Sequence, residues 1–125
     1  MPAHYFTAEE VNTLLPELEP LMGRLLERRA KVVASRDQVA NILHDFHSNV
    51  GGRGPSEMVG DFMVIERLIR QIRAYGCVVK DLNVGLLDFL AERNGREVYL
   101  CWRYGEPRVE YFHELHTGFM GRQRI

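Results

Sequence analysis

Through the first third of the chain apolar residues recur at Val11, Leu14, Leu18, Leu21, Leu25, Val32, Val39, Ile42 and Phe46, in alternating steps of three and four. Arg28 and Ser35 fill the two slots that this stripe leaves over. Such spacing keeps side chains on one face of an α-helix. A flanking row, Leu15, Met22, Val33 and Leu43, widens the stripe beyond a bare coiled-coil seam, as in a helix covered from more than one side. Thr7-Ala8-Glu9-Glu10 has the form of a capping box, with Phe6 and Val11 placed as its hydrophobic staple. Pro16 and Pro20 each remove an N–H, and Pro16 disfavours the α region at Leu15, so the pattern predicts a short capping helix, a kink at Leu15–Pro16 and a long helix to about His47.

Asn49-Val50-Gly51-Gly52-Arg53-Gly54-Pro55 breaks the pattern, and Pro55 or Ser56 suits the first turn of a second helix. Met58, Phe62, Ile65, Ile69 and Ile72 carry the helical spacing, and Val79 continues it across Gly76, predicting a helix from Pro55 to about Asp81. Glu57 and Asp61 early and Arg67, Arg70 and Arg73 late suit its dipole. The two helices form an antiparallel hairpin over about 7–81. The period then changes to two. Asn94-Gly95 predicts a type I′ turn between strands Leu86–Arg93 and Arg96–Arg103, and Gly105-Glu106 a type II′ turn into a third strand, Arg108–His113. Two-residue turns set Ala91 opposite Val98, Phe89 opposite Leu100, Trp102 opposite Val109 and Leu100 opposite Tyr111. Leu87, Phe89, Ala91, Val98, Leu100, Trp102, Val109, Tyr111 and His113 then share the core face. The tail 114–125, with Gly118 and Gly121 among bulky residues, reads as irregular. The expected fold is α+β in a single domain, 1–125: a long antiparallel helical hairpin, a three-stranded antiparallel meander over about 86–113, and that tail.

Composition narrows the function classes. With 46% hydrophobic and 26% charged residues the chain has the makings of a core. A formal charge of −1 gives no global field to hold nucleic acid or an anionic membrane. Arg67, Arg70 and Arg73, and Arg28, Arg29 and Arg36, read as solvated helix faces, so nucleic acid is disfavoured. No apolar run approaches the roughly 20 residues that span a bilayer, and the N-terminus lacks an export signal's basic and apolar regions, so no membrane association is expected. Cys77 and Cys101 lie in unrelated segments and form no redox or metal motif, which fits a reduced cytoplasm. A helix of about 32 residues would be near 48 Å long, beyond the diameter of about 36 Å of a compact domain of this size. The surplus apolar surface predicts a homodimer.

Several blocks carry a family resemblance. They are Phe6-Thr7-x-Glu9-Glu10-x-Asn12-x-Leu14-Leu15-Pro16-x-Leu18-x-Pro20, then Lys80-Asp81-Leu82 with Gly85-Leu86-Leu87-Asp88-Phe89, then Gly95-Arg96-Glu97-Val98-Tyr99-Leu100-Cys101-Trp102-Arg103-x-Gly105-Glu106-Pro107. His113-Glu114-Leu115 and Gly118-Phe119-x-Gly121-Arg122-Gln123 complete the set. Together they resemble the small bacterial proteins grouped as domain of unknown function 2203. The resemblance implies no activity and no catalytic residue. The family tail tends to continue Gln-Pro, whereas here Arg124 follows Gln123.

Candidate chemistry gathers on the meander. The predicted pairing puts Asp88, Cys101 and Glu110 in one row, with Arg103 and Arg108 one step along, an arrangement open to acid–base work, to a cation, or to plain cross-strand ion pairs. In His113-Glu114-Leu115-His116 the histidines are three apart after a strand, not the four that a helical zinc motif needs; Glu110 or Glu114 could add a third ligand, but a His113 packed by Tyr111 with its ring hydrogen-bonded is the favoured reading, and no metal ligands are assigned. His44 and His47 read as surface residues, and Gly51-Gly52-Arg53-Gly54 as an inter-helix loop rather than an anion nest. If a ligand binds, Trp102, Arg103, Glu110, His113 and Arg122 are the expected lining, where the glycines let backbone approach closely. Asp88, Cys101, Arg108, Glu114 and His116 form a second set. No cofactor is identifiable. The leading function is a non-enzymatic interaction or scaffold protein that self-associates through its hairpin and displays a surface to a protein partner or a small anionic ligand. The alternative is a small metal- or anion-dependent enzyme with its site on the meander and tail.

Overall fold

In the computed structural model, residues 3–44 and 55–125 are described, with side chains over 3–36 and 57–125. The side chains of Val39, Ile42, Leu43, His44, Phe46 and His47, and the whole of the Asn49–Gly54 break with its glycine cluster, lie outside the described residues.

The capping box forms as its residue types dictate. The Thr7 amide donates to Glu10 Oε1 and the Glu10 amide to Thr7 Oγ1, each at 3.1 Å. Phe6 and Val11 are both buried in the core. From this start α1 (Ala8–His44) runs as one helix through both prolines, so the expected division into a short capping helix and a long one does not occur. Pro16 and Pro20 are four residues apart and both exposed. The carbonyls that lose a donor, those of Asn12 and Pro16, therefore lie along one outer flank, where solvent replaces the missing bond. The buried stripe is Val11, Leu15, Leu18, Met22 and Leu25, with Leu14 and Leu21 at its margin.

The second helix, α2 (Pro55–Arg73), packs along α1 in the opposite sense: Arg28 meets Asp61, while nearer the start of α1, Leu21 shares a cleft with Gln71 and Tyr75. Arg28, an interruption in the apolar stripe, is explained by this contact, since Asp61 is buried and accepts from Arg28 Nη1 at 2.9 Å. The helix ends at Arg73, not at Asp81. Gly76, at φ +99°, takes a left-handed conformation beyond the last turn, and a Cβ there would sit 3.0 Å from Phe6 Cζ. Beyond it the chain extends into a strand.

The sheet has five antiparallel strands in sequential order, two more than expected: β1 (Val78–Asp81), β2 (Leu86–Arg93), β3 (Arg96–Arg103), β4 (Tyr111–Glu114) and β5 (Gln123–Arg124). Asn94 and Gly95 both have positive φ, the requirement of the predicted type I′ turn, and β2 pairs β3 in the predicted register. The next connection departs from expectation. The turn after β3 is closed by the Glu106 amide on the Arg103 carbonyl, with Gly105 at φ +99° third in the turn, and β4 begins only at Tyr111. Its partners are Leu100↔Phe112 and Cys101↔Tyr111, one residue away from the predicted register. The cause is tertiary. Val109 is drawn into the core and its amide donates to Asn12 Oδ1 on α1 at 2.7 Å, so residues 107–110 leave the ladder to reach the helix. The tail is also more ordered than predicted, forming a short 3₁₀ turn at Phe119–Gly121 and then β5 against β4.

A one-residue slip turns every side chain of β4 over. Phe112 joins Leu87, Phe89, Ala91, Val98, Leu100 and Trp102 on the face turned to the helices, while Tyr111 and His113 go to the other face. Among the described residues, no apolar side chain of α1 beyond Leu26 or of α2 before Val64 joins this core. The distal parts of the two helices thus form an arm whose described apolar side chains lie outside the sheet's core.

Candidate functional site

On the outer sheet face the ladder sets Asp88 opposite Cys101 and His113 opposite Tyr99, one rung along. Asp88, Cys101 and His113 are each 1% exposed. Their nearest donor atoms all lie within 4.8 Å of one another. His113 Nε2 lies 3.0 Å from Asp88 Oδ1, and Nδ1 lies 2.7 Å from the Glu114 carbonyl. A carbonyl oxygen only accepts, so Nδ1 carries a hydrogen, and a single proton is left to share between Nε2 and the carboxylate. Asp88 Oδ2 is buried and meets no well-formed hydrogen bond among the described residues. Burial, then the negative Asp88 carboxylate, pushes the Cys101 thiol up to about 12, so it is held as S–H at neutral pH.

The predicted row of Asp88, Cys101 and Glu110 is right in its first two members only. Tyr111 takes the third place, and Glu110 instead pairs with Arg124 at 2.9 Å and Arg108 at 3.6 Å. The slip also moves His113 off the helix-facing side, where it was expected beside Tyr111 over the core.

The five residues expected to line a pocket are distributed rather than convergent. Trp102 lies on the helix-facing side, fully buried, donating its Nε1–H to the Glu106 carbonyl at 2.9 Å. Arg103 is exposed. Arg122 is the member nearest the trio: its Nη2 reaches the Cys101 carbonyl at 3.3 Å and both Glu106 carboxylate oxygens at 2.7 and 2.8 Å. Its guanidinium is sandwiched 4.1 Å from the Tyr111 ring and 4.7 Å from Phe119. The tail therefore closes over the sheet with the arginine inside and Met120 93% exposed. Of the second set, Arg108 and His116 are exposed, and Glu114 accepts from Arg96 at 2.8 Å. Sequence reasoning did not single out Glu106 as Arg122's partner, and no local signal joins two residues so far apart.

The model for a family described as an uncharacterized conserved protein (DUF2203) matches residues 4–125. The chain belongs to this family. No curated protein and no solved structure matches the DUF2203 chain. Among its described residues no helix is long and apolar enough to cross a membrane.

A second feature lies on the arm of this DUF2203 chain. Val59, Phe62 and Met63 occupy neighbouring positions on the outer face of α2 and are 57%, 54% and 60% exposed. Scattered exposed apolar residues are ordinary; these three, one of them aromatic, lie together as a single exposed apolar patch.

Proposed function

We propose that this protein is a non-enzymatic interaction module that self-associates through the arm of its helical hairpin. The observation that carries the reading is the exposed Val59-Phe62-Met63 patch on the arm, whose described apolar side chains lie outside the sheet's core. A second copy fits the patch by polarity. Laying two α2 helices antiparallel about a two-fold axis through Phe62 brings the two apolar patches together at the centre, as a self-complementary contact requires. The 1% exposure of Asp88, Cys101 and His113 favours this reading over an enzyme, because a substrate has no open approach to them.

Cysteine cross-linking tests the face. Phe62→Cys should form an intermolecular disulfide on mild oxidation, while Arg73→Cys, at the far end of α2, should not. Equal cross-linking at both positions, or at neither, overturns the arrangement.

A further inference from the structure

We infer that Asp88, Cys101 and His113 form a binding site for one borderline divalent transition ion, zinc by preference. Thiolate, imidazole and carboxylate together form a donor set suited to zinc and its neighbours, whereas magnesium and calcium take oxygen ligands. Ligand atoms around a tetrahedral zinc lie about 3.3–3.8 Å apart, given bonds of about 2.0–2.3 Å. The three donors already lie within 4.8 Å of one another, so small side-chain rotations bring them to an ion.

Two further features point to an ion rather than to a packed polar trio alone. Asp88 Oδ2 is a buried carboxylate oxygen that no described residue meets with a well-formed hydrogen bond, the Cys101 thiol's weak interaction with the Asp88 carboxylate apart, and its burial is costly unless something positive meets it. His113 donates from Nδ1 to the Glu114 carbonyl at 2.7 Å, the outer hydrogen bond that fixes a ligating histidine's tautomer and leaves Nε2, which faces Asp88 Oδ1 at 3.0 Å, as the nitrogen to meet a metal. Charge also closes. Binding one Zn²⁺ displaces the Cys101 thiol proton and the proton shared by His113 and Asp88, so two protons leave, two anionic ligands face one dication, and the buried site is neutral before and after. Three protein donors leave the fourth position of a tetrahedral ion to an enclosed water.

The site is sealed, so the ion is best supplied during refolding of the full chain. Refolding with one equivalent of Co²⁺ should give a thiolate-to-cobalt charge-transfer band, and native mass spectrometry after refolding with Zn²⁺ should show one ion per chain. Cys77→Ser should leave the band unchanged, assigning it to Cys101, the other of the two cysteines. Cys101→Ser should abolish it, and Asp88→Asn and His113→Gln should each weaken binding at least tenfold. Absence of a stoichiometric ion in the unmodified chain, or loss of the band in Cys77→Ser, overturns the site even if Cys101→Ser does not fold. So does undiminished Zn²⁺ binding by a folded Cys101→Ser.

Discussion

Gly85 sits where the β1–β2 turn, α1 and the start of the Arg103–Glu106 turn converge, and its carbonyl accepts from the Tyr104 amide at 2.9 Å. A Cβ at Gly85 would lie 2.8 Å from Tyr104 Cβ, 3.1 Å from Met22 Cγ and 3.2 Å from Leu26 Cδ1. The Met22 and Leu26 atoms can rotate away, but Tyr104 Cβ is fixed to its backbone and yields only if the turn moves. Gly85 is also at φ +72°. Replacing it with alanine therefore combines about 1–2 kcal/mol for a left-handed non-glycine residue with about 1–3 kcal/mol for overpacking. Gly95 is the internal control: its φ is +76°, but a Cβ there meets nothing within 4 Å. Gly95→Ala should show the backbone cost alone, and the difference between the two variants should be the packing cost, about 1–3 kcal/mol. Urea denaturation followed by circular dichroism measures both, at slopes of about 1–3 kcal/mol per molar. Equal destabilisation by the two substitutions would refute the close approach of the turn to α1.

Thr7→Ala removes the hydroxyl that accepts the Glu10 amide and should cost about 1 kcal/mol in thermal or urea unfolding. The Thr7 amide holds the Glu10 carboxyl below its usual value of 4.5, with His4 adding to the effect. Because the folded-state value is the lower one, that stabilisation is complete above about pH 4.5 and is lost as pH falls through the folded value. An acid titration of stability should thus show a loss in wild type that Glu10→Gln, which has no carboxyl to protonate, lacks. Cys77 and Cys101 are both pushed up to about 12 by burial, so neither should react with a thiol reagent at pH 8 until urea unfolds the chain. Rapid labelling of the native protein would contradict their placement. Asp88→Ala leaves His113 Nε2 buried opposite nothing and should destabilise the metal-free protein by about 3–5 kcal/mol, measured by calorimetry.

The features legible in the sequence are those whose signal is local. Thr7 with Glu10, and Asn94 with Gly95, are residue types at fixed offsets that force a cap and a turn, and both form as read. The interrupted stripe of α1 and the β2–β3 register follow from periodicity in the same way. β1 was hidden because Val79 falls seven residues after Ile72, a helical spacing, although Gly76 between them already held the stop signal. The slip of β4 depends on an amide bonding to Asn12, 97 residues earlier, which no turn rule contains. That slip decides the candidate site, since it brings His113 to Asp88 and removes Glu110. Arg122 was visible as a residue of interest, but its role depends on Glu106, Tyr111 and Phe119 closing around it from separate segments.

Self-association of the arm is tested most directly by sedimentation equilibrium on the unmodified chain at micromolar concentration, with Phe62→Glu run beside it. The arm predicts a species of twice 14.5 kDa that Phe62→Glu converts to the single-chain mass with its circular dichroism unchanged. A 14.5 kDa species alone for the unmodified chain, or a dimer indifferent to Phe62→Glu, would contradict it.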